Sequence, residues 1–297
     1  MKKILSLLLC AIIAYSSVAQ DEKPDSTLGW FFPTIINLTV SQVSFSNWSA
    51  GGENSYSING LTLLTANYKS KMATWDNTLI MAYGLMKQGD RELRKTDDNF
   101  EFSSKYGYKA FNDWYYSGMV QFKTQFDNGY QYDDIAVPAT KTLLSKFMAP
   151  AYLNLSLGMN YTPSKVFNLF IGPLSGKTTF VLDDTLSNAG AFGVEKGEKI
   201  RNEFGGTIKA VVNKDIMKNV NLMSKLELFS NYVDNPECID MDWQLLITMK
   251  INKLLSANIN LHAIYDDDIK TFENGVERGA KLQFKEVFGI GLSYKLE

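Results

Sequence analysis

Along this chain the links between period-two segments alternate between short and long. KSK (69–71), AFND (110–113), TPSKVF (162–167), NKDIMKN (213–219) and NKLL (252–255) are tight. QGDRELRKTDD (88–98), the regions 127–147 and 182–201, VDNPECID (233–240) and DDDIKTFENGVERG (266–279) lie between them. A meander with every second link short has one end that turns tightly and one that carries loops, as outer-membrane barrels do.

The segments so linked fall near 34–46, 54–68, 72–86, 98–109, 113–126, 148–161, 167–181, 202–213, 219–232, 241–251, 256–266 and 280–296. Successive strand side chains point to opposite faces, and the alternation is plain. Phe100, Phe102, Tyr106 and Tyr108 oppose Glu101, Ser103, Lys105 and Lys109. Val220, Leu222, Leu226 and Leu228 oppose Asn221, Lys225 and Glu227, and Trp243, Leu245, Ile247 and Met249 oppose Asp242, Gln244, Thr248 and Lys250. Each core holds about ten residues, the length a tilted strand needs to cross a bilayer. A soluble sandwich or lipocalin-like barrel alternates too, with its apolar face inward. Here the polar face mixes amides, charges and glycines, suited to a hydrated interior, while Trp75, Trp114, Tyr161 and Trp243 lie near segment ends, where interfacial girdles form. The expected fold is all-β: an antiparallel transmembrane β-barrel of about 12 strands, outer-membrane type.

MKKILSLLLCAIIAYSSVAQ reads as a signal peptide, 1–19, directing the chain to the cell outer membrane. A periplasmic N-terminal segment, 20–33, and the barrel domain, 34–297, are expected after it. Lipidation at Cys10 is disfavoured by the bulk of Leu9. Loss of the leader leaves Cys238 as the lone cysteine, without a disulfide partner. A net charge of −2 with no basic run argues against nucleic acid.

Ten polar-phase residues are candidates to line the lumen: Glu101, Lys105, Lys109, Lys123, Glu203, Lys209, Lys225, Glu227, Lys250 and His262. Their lysines outnumber their acids, which favours anions if a passage exists; interlocked salt bridges that close it are the competing state. His262 is the single histidine. Its first same-face acid along the strand, Asp266, is about 13 Å away, and no serine stands two residues after it, so catalysis is not expected. The loop in QVSFSNWSAGGENSYSING offers Trp48, Gly51, Gly52 and Glu53 as extracellular candidates. The Trp48 ring suits the outer girdle, a lumen plug or a sugar. DDDIKTFENG clusters carboxylates that suit calcium, but without EF-hand spacing it reads as a solvated loop. No cofactor or metal site is expected.

TVSQVSFSNWSAGGENSYSINGL, KSKMATWDN, DRELRKTDDNFEFSSKYGYK and the ending KLQFKEVFGIGLSYKL resemble the uncharacterised Bacteroidota outer-membrane barrel family DUF3078 over nearly all of the mature chain. The resemblance implies fold and location and no activity. The ending also places Gly291, Tyr294 and Leu296 at spacings like a terminal barrel-insertion signal. The expected function is a narrow channel for small polar or anionic solutes, with outer-membrane lipid around it. The alternative is a closed structural or accessory subunit held to an envelope protein partner. An outer-membrane hydrolase ranks third.

Overall fold

The computed structural model describes residues 28–46, 50, 52–134, 138, 140–273 and 276–296. The expected leader, residues 20–27, Trp48 and Gly51 lie outside the described residues. Strands in chain order are β1 (Gly29–Phe31), β2 (Thr34–Val43), β3 (Ser55–Lys69), β4 (Ala73–Gln88), β5 (Arg94–Phe111), β6 (Trp114–Thr124), β7 (Gly129–Asp133), β8 (Thr140–Ser145) and β9 (Ala151–Tyr161). They continue as β10 (Phe167–Phe180), β11 (Ile200–Met217), β12 (Val220–Asn231), β13 (Ile239–Lys250), β14 (Leu255–Tyr265), β15 (Lys270–Glu273), β16 (Val276–Ala280) and β17 (Gln283–Leu296). One five-residue helix, α1, spans Asp184–Asn188.

Twelve strands close into a ring: β2 pairs with β3 and, at the other edge, with β17, and between them each strand pairs with its chain neighbour in the order β3, β4, β5, β6, β9, β10, β11, β12, β13, β14. Every pairing is antiparallel, so the short turns and both ends of the ring-forming chain gather at one end. β1 adds to the edge of β3 below β2, with Gly29 opposite Lys69 and Phe31 opposite Asn67.

The outer surface follows from the period. Val120, Leu155, Leu157, Leu174, Phe204, Ile208, Phe288, Ile290 and Leu292 are exposed, alternating with side chains that point into the ring. Around the short-turn end Trp30 packs on Tyr68 and Trp75, Trp114 stacks on Tyr161 at 4.8 Å, and Tyr106, Tyr108 and Tyr116 stand exposed. An apolar wall bounded by amphipathic rings, with a polar interior, is the solution for a bilayer rather than for water. This is a twelve-stranded transmembrane barrel of outer-membrane type.

The strands are longer than the ten-residue cores expected. β4 has 16 residues and β5 and β11 have 18 each, against 10 in β2. A ten-residue strand suffices for the bilayer, so the excess forms a wall beyond it on the long-loop side. The long loops are structured: β7 and β8 form a hairpin, as do β15 and β16. A small apolar cluster of Ala149, Val181, Leu186 and Val194, with Leu143 and Phe192 against it, roofs part of the barrel mouth.

The roof is pinned by Asp183, whose carboxylate accepts from the Thr185 and Leu186 amides at 3.0 and 3.2 Å and from Lys146 at 3.2 Å. The Leu186 amide above all holds this carboxyl below its usual pKa. A depressed folded pKa contributes stability above the unfolded value, about 3.9, that is lost as pH falls through the folded value. Asp183→Ala should free the helix at a cost of about 1 kcal/mol. Faster amide exchange at Leu186 and Ser187, reproduced in the parent protein only in strong acid, is the expected reading.

One seam is short. β17 and β2 pair over six residues, from Leu296 opposite Thr34 to Gly291 opposite Thr39. The other eleven seams pair over ten to fifteen.

Candidate functional site in the barrel interior

Contacts between strands that are not neighbours in the ring must cross its interior, and they define a polar floor. Lys225 on β12 donates to both oxygens of Glu101 on β5 at 2.6 and 2.7 Å. Gln121 on β6 donates to Glu101 and to Glu227 on β12, both at 3.0 Å. Lys123 on β6 reaches Asp242 on β13 at 2.9 Å and Glu227 at 3.4 Å. Asn154 on β9 adds a bond to Glu227 at 3.4 Å, and Lys209 on β11 approaches it at 3.9 Å. Glu101 is 3% exposed, Lys225 5% and Gln121 0%. Charges so far from water are tolerated only when paired and hydrogen-bonded.

Below the floor, toward the short turns, Phe170 and Met119 are buried inside the ring with Ser156, Ser175 and Thr207. Lys105 there donates to Asn160 at 2.9 Å and Asn168 at 2.8 Å. Above the floor, Lys177 on β10 meets Asp240 at 2.7 Å, Asp266 at 3.2 Å and Glu203 at 3.6 Å. Arg201 joins Glu203 to Asp268 at 3.4 and 2.6 Å. Lys285 on β17 reaches Asp97 on β5 at 2.7 Å, passing behind β2, β3 and β4.

Between floor and roof lies a cavity of about 580 Å³. Asp97, Asp98, Glu101, Glu227, Asp240, Asp242 and Asp266 line it with Lys123, Lys177, Lys285 and His262. Seven carboxylates against three lysines make the lining acidic, although Lys225, Lys209 and Lys95 stand behind Glu101, Glu227 and Asp98. The expected set held Glu101, Glu203 and Glu227, whereas Asp97, Asp240 and Asp266 come from strand ends nearer the loops. One wall is apolar: Leu61, Ile80 and Ala82, from β3 and β4 beside the short seam, also line the cavity.

Of the ten candidates from the sequence, Glu101, Lys123, Lys209, Lys225 and Glu227 meet in the floor, His262 sits beside it, Glu203 lies in the cluster above and Lys105 below. Lys109 and Lys250 are exposed at the short-turn end and join none of these groups. Gly52 has a φ of 131° and its α-carbon faces the Phe45 ring, and Glu53 is exposed beside Gly89. Lys177 escapes period-two counting because the β10 register shifts between Gly172 and Ser175, which brings Lys177 and Phe170 to the same face.

His262 Nε2 lies 3.0 Å from Asp242 Oδ1, a partner from the adjacent strand rather than along its own. Among the described residues no serine, threonine or cysteine completes a nucleophile–base pair with it. The acidic run 266–268, read from the sequence as a solvated loop, places its carboxylates in ion pairs and hydrogen bonds: Asp266 to Lys177, Asp268 to Arg201, and Asp267 accepts from Tyr265 at 3.0 Å. Among the described residues no cluster of three such ligands is arranged to hold a metal. The Cys238 thiol is bonded to Asp267, which raises its pKa and keeps it a poor nucleophile.

The profile of a family described as "Protein of unknown function (DUF3078)" matches residues 40–130. The match takes in NWSAGG, KSKMATWDN and DRELRKTDDNFEFSSKYGYK but not the chain's ending. No curated protein sequence matches the chain. Among solved structures, the translocator domain of the autotransporter NalP from Neisseria meningitidis is similar at 9% identity and a TM-score of 0.38, covering 99% of this chain and 96% of that one. An outer membrane channel from Pseudomonas putida F1 is similar at 10% identity and 0.38, covering 94% and 99%. OmpT, an outer membrane protein of Vibrio cholerae, stands at 10% and 0.29, covering 93% and 100%. These likenesses are weak, and the barrel rests on its own strand pairing.

Proposed function

We propose that this outer-membrane barrel is a narrow passage for small polar solutes, cationic or zwitterionic rather than anionic, with the ion network as its closed constriction. The acidic cavity that ends on that network carries the reading. Carboxylates facing a confined aqueous space raise the local concentration of cations, and a floor of side chains can rearrange without breaking a strand. Purified protein in a planar lipid bilayer should give rare, small, cation-preferring conductance steps. Lys225→Met with Glu101→Gln, which removes the central pair together, should raise their frequency several-fold. If folded parent and double variant are both silent, the passage does not exist.

A second reading has its own support. The near-complete burial of Gln121, Glu101 and Lys225, with Phe170 and Met119 beneath them, suits a barrel closed for good, serving as an accessory subunit of an envelope assembly. Silence in the bilayer with stoichiometric recovery of a partner from mildly solubilised membranes is its signature. The hydrolase reading has least support, since His262 has an acid beside it and no nucleophile.

A further inference from the structure

The unfinished seam between β2 and β17 meets a physical prohibition. Unpaired backbone groups cost several kcal/mol in hydrocarbon, and open sheet edges facing lipid do not occur there. Above Gly291 opposite Thr39 the ladder stops among the described residues: Val40–Val43 pair only with β3, and Gln283–Ile290 pair only with β14. At about 3.3 Å per residue and a tilt near 40°, the gap starts about 13 Å above the end of β17. The exposed Ile290 and Phe288 beside it place it in the apolar belt, on the loop side. β2 is exposed on both faces from Val40 to Val43, as a free edge would be.

What lies behind the gap decides its use. Gln283, Phe284 and Lys285 of β17 line the cavity, as do Leu61 and Ile80 on the wall next to β2. Behind the gap the chamber therefore has Leu61 and Ile80 on its β3–β4 side, Asp240 and Asp242 on its β13 side and, on β17 itself, Lys285 held by Asp97 at 2.7 Å. A site that merely accepted a partner's strand would need no chamber. We propose that the β2–β17 gap is a lateral portal through which amphiphiles with a cationic headgroup and an alkyl tail pass between the outer leaflet and the cavity. The headgroup competes with Lys177 for Asp240 and with Lys123 and His262 for Asp242, while the tail lies on Leu61 and Ile80. Water from the cavity satisfies the free strand edges, and Glu286, exposed on the outer surface between Phe284 and Phe288, offers the headgroup a first contact. The inference rests on the acidic cavity invoked above, but not on conduction through the floor.

The test uses the full barrel in phosphatidylcholine vesicles, in a Cys238→Ser background, with a dodecyltrimethylammonium probe carrying a tail diazirine. Photolabelling of the peptides containing Leu61 and Ile80 is read by mass spectrometry. In one arm Gln42→Cys and Phe288→Cys are bridged by a short bis-maleimide, with each single cysteine variant treated alike as control. The other arm is Asp240→Asn with Asp242→Asn. Either change should cut interior labelling at least fivefold, and the matching dodecyl sulfate probe should label the interior at least fivefold less than the ammonium. If bridging leaves labelling intact while the charge arm reduces it, the portal falls and the acidic cavity stands. If neither arm matters, both fall. Bridging between two copies rather than within one chain makes the gap an interface between barrels and overturns the portal.

Discussion

Lys225→Met alone should destabilise the folded barrel by about 3 to 5 kcal/mol, the usual cost of leaving one member of a buried ion pair without its partner. Its victim is Glu101, 3% exposed, whose two oxygens share the lysine at 2.6 and 2.7 Å. Glu101→Gln should hurt comparably, because Lys225 then loses its only carboxylate at bonding distance among the described residues. The double variant should recover much of the loss, since two neutral side chains need no charge compensation. Urea unfolding in lipid vesicles, followed by tryptophan fluorescence, measures all four corners of this cycle. Additive losses would mean that the pair is solvated, and that the floor is not a sealed barrier.

The second large effect concerns the short seam. Gly291 lies where β17 passes closest to β2: an added methyl would overlap the Leu38 carbonyl oxygen and come within 2.7 Å of the Thr39 Cα. Both are backbone atoms, so no rotamer relieves the clash. Gly291→Ala should therefore cost about 3 kcal/mol or more and leave much of the protein unclosed, seen as loss of the compact, heat-modifiable band in gel electrophoresis. Gly60→Ala on β3 is the control, because its nearest heavy atom, Tyr83 O, is 3.9 Å away. Equal behaviour of the two variants would show that six residue pairs are not what closes the ring.

Most of the barrel was legible because period two and bilayer thickness are strong constraints acting on every strand. Twelve segments were expected and twelve strands close the ring in that order, with ends that differ by a few residues. Strand overhang was not legible: β5 begins at Arg94 rather than near 98 because its added residues pair outside the bilayer, where no apolar pattern is demanded. The interior was legible by face and not by partner. Glu101 and Lys225 were both assigned inward, yet they are 124 residues apart, and only ring closure brings them together. Gln121 was missed because an amide carries no signal distinguishing a buried crosslink from a wet surface. Lys177 was hidden by the irregularity in β10. The cavity's aspartates were not legible because strand-end aspartates look, in sequence, like ordinary loop charges.

The floor has a consequence for assembly. Its members come from β5, β6, β9, β11, β12 and β13, so the earliest of them waits, charged, while half the wall is still being laid down. Until those later strands arrive, Glu101, Gln121 and Lys123, neighbours on β5 and β6, have only one another and water to answer them. Drying of the centre is therefore a late and collective event, and a nascent wall that stalls midway presents a wet, charged groove that resists burial in the wrong place.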